Sequence, residues 1–303
     1  MAFDPTQHII FEGYSGSHLY GTNTEDSDVD MRGVVIPPLS VLLDPFNEFD
    51  VKDSFEDGSD RALYSLKKFF KLCADNNPNV LELLFVPQNK TTISSKEWEL
   101  IVSKRHLFLS KNIKHRFLGY AFSQLEKIKR HREWFLNPPD HKPTREEFAL
   151  SQSPLMSENL LANAFGIPHD LFKDVSREEL VREREYREAK RKWDNYATWK
   201  AERNPKRRHS EEEHGFDGKC ALHLFRLMLE GKSLLLNGEI TFPLPEAEWL
   251  LEIKNGKYSF EKLVSMAESM EIDFEHWYQI SPLPKNPNRK ELSNLYFDLV
   301  NYY

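Results

Sequence analysis

The sequence predicts an α+β protein in which a mixed-sheet core at residues 1–90 precedes a mainly helical region at residues 91–303. Short β-favouring stretches alternate with helical ones in the first region. Long stretches that contain little proline or glycine follow in the second region, as is typical of helices. The 303 residues are 40% hydrophobic, which is enough for a substantial core in one large or two modest domains.

Three segments define the predicted core. Residues 8–14 are short, apolar and β-favouring, so they form either a strand or the end of a helix. Residues 28–37 alternate and then end in β-branched residues, which predicts a strand, whereas residues 61–75 begin like a strand and continue at helical spacing. Asn79 is the predicted N-cap of the next helix with Glu82 as its capping-box partner, and a catalytic Glu82 is the alternative.

A charged insertion at about residues 135–212 divides the helical region. Within it, residues 181–210 contain eleven Lys or Arg, five Asp or Glu, and the aromatic residues Trp193, Tyr196 and Trp199. Basic residues mixed with aromatic ones suit an RNA or tRNA partner, through phosphate contact and base stacking. A solvated helix with ion pairs four residues apart is the alternative.

The bulk composition excludes several classes of protein. The formal net charge of −7 argues against a general attraction to nucleic acid and leaves room for a local basic patch. Two cysteines, Cys73 and Cys220, are too few for a disulfide framework or a zinc finger, and they favour a reducing compartment. With no visible signal peptide and no stretch approaching about 18 consecutive apolar residues, we expect a cytoplasmic protein without a membrane partner.

Asp28 and Asp30 are a candidate metal site. On a strand, residues two apart point to the same face and lie about 6–7 Å apart. Two like charges on one face are unfavourable unless a cation lies between them, and Mg²⁺ or Mn²⁺ prefers such oxygen ligands. The alternative is a polar turn with solvated aspartates, which is the more common origin of an isolated D-x-D pattern.

Ten residues separate Gly16 and Ser17 from this pair, and a glycine allows a close approach of the backbone to phosphate. This pattern, in which a Gly-Ser pair is followed after ten intervening residues by Asp-x-Asp, resembles the signature of the DNA polymerase β-like nucleotidyltransferase superfamily. The longer string GSHLYGTNTEDSDVDMRGV is similar to the bacterial and phage branch of predicted nucleotidyltransferases, as are YSLKKFFKLCADNNPNVLELLF and FDGKCALHLFRLMLEGKSLLLNGEI. The resemblance covers most of the chain outside residues 135–212.

This resemblance implies a polymerase β-like mixed-sheet fold, a divalent metal ion, Mg²⁺ or Mn²⁺, and a nucleoside triphosphate substrate, with ATP favoured. It assigns the metal and the catalysis to Asp28 and Asp30, the triphosphate loop to Gly16 and Ser17, and a third carboxylate to a later strand. Asp60 is the best match for that third carboxylate, and Glu56 and Asp57 are its alternatives.

A polar stripe follows one side of the apolar helix predicted at about residues 217–231. Lys219, His223 and Arg226 lie within about 60° of one another on a helical projection. A buried basic stripe needs an anionic partner, and a triphosphate or departing pyrophosphate is our interpretation, with Lys219 the strongest candidate. Internal salt bridges, in which Glu230 takes part, are the alternative.

A second stripe joins Tyr120, Gln124 and Lys127 on an earlier helix. We expect Tyr120 to stack on a base, Gln124 to form a hydrogen bond with the base edge or sugar, and Lys127 to bind phosphate. The alternative is an ordinary solvent-exposed helix face. Arg32 follows Asp30 by two residues, so it shares the carboxylate face and binds phosphate or neutralises the aspartates.

These assignments predict a metal-dependent nucleotidyltransferase. It would move a nucleoside monophosphate group from a nucleoside triphosphate to an acceptor hydroxyl, with RNA or tRNA considered as acceptor, and release pyrophosphate. One alternative is a catalytically silent nucleotide-binding regulatory protein on the same scaffold. Another is a toxin–antitoxin-type module that attaches the nucleotide to a protein hydroxyl.

Overall fold

The computed structural model describes residues 3–46, 48–152 and 177–302. Within these ranges a five-stranded mixed sheet is followed by helices, which confirms the predicted α+β fold class. Its strands are β1 (Ile9–Ser15), β2 (Asp30–Val35), β3 (Val51–Lys52), β4 (Arg61–Ser65) and β5 (Thr91–Ser94). Their order is β3-β4-β2-β1-β5; β2 and β4 run parallel, and the other neighbours are antiparallel.

The first helices of the chain are short, and most of those that follow are longer. The first five are α1 (Gly16–Tyr20), α2 (Leu39–Leu42), α3 (Leu66–Ala74), α4 (Pro78–Leu81) and α5 (Lys96–Ser103). Those that follow are α6 (Ile113–Leu136), α7 (Arg177–Glu202), α8 (Pro205–His214), α9 (Gly218–Asn237), α10 (Ala247–Lys254), α11 (Phe260–Ile280) and α12 (Arg289–Tyr302). Among the helices of the described ranges, none has the length and apolar character needed to cross a membrane.

The capping of α4 differs from the prediction. The side chain of Asn77, not Asn79, accepts a hydrogen bond from the backbone N–H of Asn79 at 3.1 Å, and Pro78 occupies the first turn. Proline is favoured there because its missing N–H would have no helical partner. The predicted capping box of Asn79 and Glu82 is therefore wrong, and Glu82 is buried at 1% exposure.

Helix α9 is the central helix of the second region. The Asp217 side chain caps its start by accepting from the backbone N–H of Cys220 at 3.0 Å, and Gly238 ends it in a left-handed conformation. The helix packs along α6, and Phe117 and Phe225 belong to the same hydrophobic core as Phe11 of β1. One continuous core thus holds the sheet against the long helices.

The charged insertion lies partly within the described residues. Its residues 153–176 lie outside them, whereas α7 and α8 account for most of the remainder. Tyr196 and Trp199 of α7 pack against Trp134 of α6, with ring centroids 6.1 and 5.4 Å from it. These aromatic contacts hold α7 against the main helical layer.

Candidate active site

Two carboxylates meet at the start of the parallel strands β2 and β4. The strands align Met31 with Arg61, and the Met31 N–H donates to the Asp60 carbonyl at 2.9 Å. This register places Asp30 beside Asp60, with the two carboxyl groups within hydrogen-bonding reach. Burial raises the pKa of Asp30, and the contact with Asp60 raises it further. We call Asp30 and Asp60 the carboxylate pair.

The sequence predicts that Asp28 and Asp30 share one metal site, but Asp28 does not take part in the contact between Asp30 and Asp60. The strand begins at Asp30, so Asp28 lies exposed in the segment before it, where no ladder pairing fixes its direction. Within the described ranges, Asp28, Asp30 and Asp60 do not form a group whose donor atoms all lie within 4.8 Å. The alternatives for the third carboxylate fit less well: Glu56, Asp57 and Asp60 are all exposed, but Asp60 is the one that contacts Asp30, and Asp57 accepts from Ser59 in its own turn.

Gly16 lies directly against the carboxylate pair. Its φ of +61° is a left-handed conformation, and a Cβ at this position would collide with Asp30 Oδ2. Ser15 pairs with Asp30 across β1 and β2, and its buried Oγ has no hydrogen-bond partner. Ser17 is half-buried in the helix that follows. The predicted triphosphate loop and the carboxylate pair are therefore one structural unit.

Arg32 is bound by protein groups. Its guanidinium donates to the Asn79 carbonyl at 2.9 Å and contacts the Tyr64 hydroxyl at 3.4 Å. Its charge lowers the pKa of Asp30, opposing the effect of burial. Of the two roles predicted for Arg32, the structure favours neutralisation of the carboxylates.

Lys219 contributes a positive charge from α9 that acts on the carboxylate pair. It is exposed in the first turn of the helix, whose start is fixed by the Asp217 cap. Its positive charge also lowers the pKa of Asp30. The residue from the apolar helix that the sequence ranks first therefore lies within electrostatic range of Asp30, although the two are far apart in the chain.

His223 lies among cations. It is half-buried, and burial together with the neighbouring positive charges lowers its pKa to about 3, so the imidazole is neutral at pH 7. Those charges belong to Arg226, Lys219, Arg207 and Lys127. Sequence reasoning missed Arg207 as a site residue, because it belongs to the charged insertion and only the folding of α8 brings it to α9. We call Lys127, Arg207, Lys219 and His223 the basic cluster.

Arg226 corrects one sequence prediction. Its side chain is 3% exposed, and its Nη1 lies 2.9 Å from both Glu230 carboxylate oxygens and 3.3 Å from Glu82 Oε2. Its guanidinium also lies 4.4 Å from the Tyr20 ring centroid, and the Tyr20 hydroxyl donates to Glu82 at 2.9 Å. Arg226 thus belongs to a buried ion-pair network of Tyr20, Glu82, Arg226 and Glu230, and it does not bind the triphosphate.

The stripe on α6 lies beside α4. The Asn77 amide donates to the Tyr120 hydroxyl at 2.9 Å, and the Tyr120 ring is 36% exposed. Gln124, one turn later, is half-buried, and the charge of Lys127 acts on His223. Tyr120 therefore lies near the Asn79 carbonyl that binds Arg32, whereas Lys127 lies near α9.

Two of the three aromatic residues named in the charged insertion pack against α6, whereas Trp193 is half-buried, with its ring 5.7 Å from that of Tyr196. Tyr196 is 5% exposed, and Trp199 contacts both His131 and Trp134 of α6. The predicted stacking of these two rings on nucleic acid is wrong, because they are used to pack α7 against α6. Lys200 is exposed, and its ammonium lies 5.7 Å from the centroid of the Tyr196 ring.

Known proteins resemble the region that builds this site. Residues 3–137 match the family described as RlaP, RNA repair pathway DNA polymerase beta family. The match confirms the resemblance to polymerase β-like nucleotidyltransferases in this part of the chain and indicates a nucleotidyltransferase-like role.

One relative matches over most of the chain. It is the uncharacterized 38.9 kDa protein in the nrdC-mobD intergenic region of Enterobacteria phage T4. The two are 27% identical over an alignment of 295 residues. This alignment covers 86% of this chain and 87% of the phage protein. No solved structure matches the chain. The likeness to the phage protein extends beyond residue 137 into the helical region.

Proposed function

We propose that this protein is a divalent-metal-dependent nucleotidyltransferase that transfers a nucleoside monophosphate from a nucleoside triphosphate to a hydroxyl of RNA. The observation that carries the proposal is the carboxylate pair, Asp30 and Asp60, built against Gly16 and facing the charge of Lys219. RNA is the acceptor we favour because the matching family is described by an RNA repair pathway. The arrangement supports residues 1–90 as the catalytic core.

The carboxylate pair fits a divalent cation. Burial raises the pKa of Asp30, the contact with Asp60 raises it further, and the Oγ of Ser15 is buried beside the pair without a hydrogen-bond partner. Oxygen donors of this kind are the ligands of Mg²⁺ and Mn²⁺, so Asp30 and Asp60 would hold the metal, with Asp28 as a further carboxylate. When bound, the metal supplies charge neutralisation for the phosphates and lowers the pKa of the attacking hydroxyl.

The basic cluster is the proposed binding site for the triphosphate of ATP or another nucleoside triphosphate. Lys219 and Arg207 contribute positive charge, and the neutral imidazole of His223 can donate one hydrogen bond to a phosphate oxygen. Lys127 adds a further charge from α6, and Tyr120 with Gln124 on the same helix would contact the base or sugar. The cluster and Gly16 then hold the triphosphate from two sides.

The transfer reaction itself tests the function. Wild-type protein is incubated with each nucleoside triphosphate labelled at the α- or γ-phosphorus, with Mg²⁺ or Mn²⁺ and with total RNA and total protein as acceptors. We expect RNA to gain label from the α-phosphorus and none from the γ-phosphorus, because pyrophosphate departs. Label on protein alone would replace RNA with a protein hydroxyl as acceptor. Nucleotide binding without any transfer would favour the catalytically silent protein, which the contact between Asp30 and Asp60 argues against.

The titration of His223 tests the triphosphate site directly. Its pKa is lowered to about 3 by burial and by neighbouring cations, so a triphosphate bound among those cations should raise it. Because the protonated form then binds ATP better, we expect ATP affinity to increase as the pH falls toward the raised pKa. NMR of the imidazole, assigned with His223→Gln, measures the shift. Adenosine, which lacks phosphate, is the control and should leave the pKa unchanged; an equal response to both ligands would remove His223 from the phosphate site.

A further inference from the structure

A second group of potential metal ligands, none of them in the carboxylate pair, lies where α6, α8 and α9 meet. It consists of His131 on α6, Glu211 on α8 and Asp217 at the start of α9, with donor atoms that all lie within 4.8 Å of one another. The three residues are buried, at 8, 2 and 1% exposure. We propose that this three-ligand cluster binds a zinc ion that fixes the charged insertion to the main helices.

His131 points a free donor atom into the cluster. Its Nδ1 is buried without a hydrogen-bond partner and lies 3.4 Å from Glu211 Oε1. A tetrahedral zinc with bonds of about 2.0 Å holds neighbouring donors about 3.3 Å apart. The Trp134 ring stacks on the imidazole at 5.7 Å with an interplanar angle of 18°, which fixes its direction. An unpaired buried nitrogen is unfavourable unless it binds a ligand.

Each carboxylate binds an arginine or a backbone N–H with one oxygen, and its other oxygen is the one we propose for the metal. Glu211 Oε2 pairs with Arg203, so Oε1 faces His131. Asp217 Oδ1 accepts from the backbone N–H of Cys220, whereas Oδ2 accepts only from the weak thiol donor of Cys220 and from the nearby Arg207, so Oδ2 is the oxygen that an ion would take. Metal-binding carboxylates commonly have such a partner on the second oxygen, because it fixes their orientation.

The donor set, one imidazole nitrogen and two carboxylate oxygens, suits zinc. Three protein ligands leave one tetrahedral position, which water or a further group takes in sites of this type. The Sγ of Cys220 contacts Asp217 Oδ2 at 3.3 Å, but it is not among the three residues whose donors lie within 4.8 Å.

Two arginines offer a competing explanation for the buried carboxylates. Arg203 pairs with Glu211, and Arg207 Nη1 lies 3.6 Å from Asp217 Oδ2. These cations alone would neutralise the carboxylates, but they leave His131 Nδ1 without a hydrogen bond, at 3.4 Å from Glu211 Oε1. The Arg207 side chain is 37% exposed, so it can turn toward the basic cluster when a metal binds.

Metal content tests the proposal. Full-length wild-type protein, dialysed to remove loosely bound ions, should retain about one zinc per chain by mass spectrometry. His131→Gln and Glu211→Gln should each lose most of it. His115→Gln and Glu212→Gln change another histidine of α6 and another glutamate of α8. These variants are matched controls and should retain the zinc. The proposed site would be overturned if zinc-free wild-type protein failed to bind added zinc. It would also be overturned if both cluster variants retained zinc.

A second measurement covers variants that fail to fold. Chelator-treated wild-type protein should gain thermal stability on addition of Zn²⁺, because a ligand that binds only the native state stabilises it. The same Zn²⁺ response in Asp30→Asn would separate this site from the proposed catalytic metal. A melting temperature unchanged by Zn²⁺ would identify the cluster as an ion-pair network alone.

Discussion

Asp30→Asn should abolish nucleotidyl transfer while leaving the free energy of unfolding unchanged or higher. The proposed metal contributes several kcal/mol of charge stabilisation to the transition state, so its loss corresponds to about 10²–10⁴-fold in rate. Stability should not fall, because burial and the Asp60 contact make the charged form of Asp30 unfavourable in the metal-free protein. A change that removes activity without removing stability is what separates a functional carboxylate from a structural one.

The sign of the pH dependence sharpens this expectation. The pKa of Asp30 is raised above its ordinary value of 3.8, so the folded protein binds the proton more tightly than the unfolded chain does. The contribution of Asp30 to stability is therefore present below pH 3.8 and is lost as the pH rises through the folded pKa. Asp30→Asn should accordingly gain stability over wild type at neutral pH, and lose that advantage in acid. Urea unfolding at several pH values, without divalent metal, measures it.

Asp57→Asn is the matched control for this variant. Asp57 lies on the same connection as Asp60 and is exposed like it, but its carboxylate accepts from Ser59 within the turn and does not act on Asp30. Transfer should therefore survive its replacement. The double variant Asp28→Ala plus Asp30→Ala should be as inactive as Asp30→Asn and should remain folded. Wild-type transfer by Asp30→Asn would remove the carboxylate pair from the mechanism.

The residues of the carboxylate pair could be found from the sequence, but their contact could not. Alternation and β-branched residues predict the strand that contains Asp30, and the resemblance to nucleotidyltransferases points to Asp60. What brings them together is the parallel register of Met31 with Arg61, a pairing between segments with no local signal for their alignment. Strand boundaries are a second limit of the sequence. The prediction placed Asp28 inside a strand that begins two residues later, at Asp30.

Helical periodicity has a similar limit. It correctly places Lys219, His223 and Arg226 along one side of a helix, but it says nothing about what faces each turn of that side. Lys219, in the first turn, is exposed, whereas Arg226, two turns deeper, meets Glu82 at a separation of 144 residues. The aromatic residues of α7 follow the same rule, because their partner Trp134 belongs to another helix.

Arg226→Ala should destabilise the protein by about 3–5 kcal/mol, the cost of leaving buried charges uncompensated. Its removal would leave Glu82 and Glu230, at 1 and 0% exposure, without their shared cation. Arg289→Ala is the control, because Arg289 forms an exposed ion pair with Asp75 and such pairs contribute about 0–1 kcal/mol. Urea unfolding of both variants measures the difference.

The loss should also depend on pH, which distinguishes uncompensated charge from a simple cavity. Burial raises the pKa of Glu230 to about 7 even though Arg226 opposes the shift, so removing Arg226 should raise it further. A raised pKa in the folded state means that stability falls as the pH rises toward that pKa. Arg226→Ala should therefore be closer to wild type at pH 5 than at pH 8, and adding Glu230→Gln should recover part of the loss at pH 8. A deficit that is the same at both pH values would indicate lost packing alone, since a cavity does not titrate.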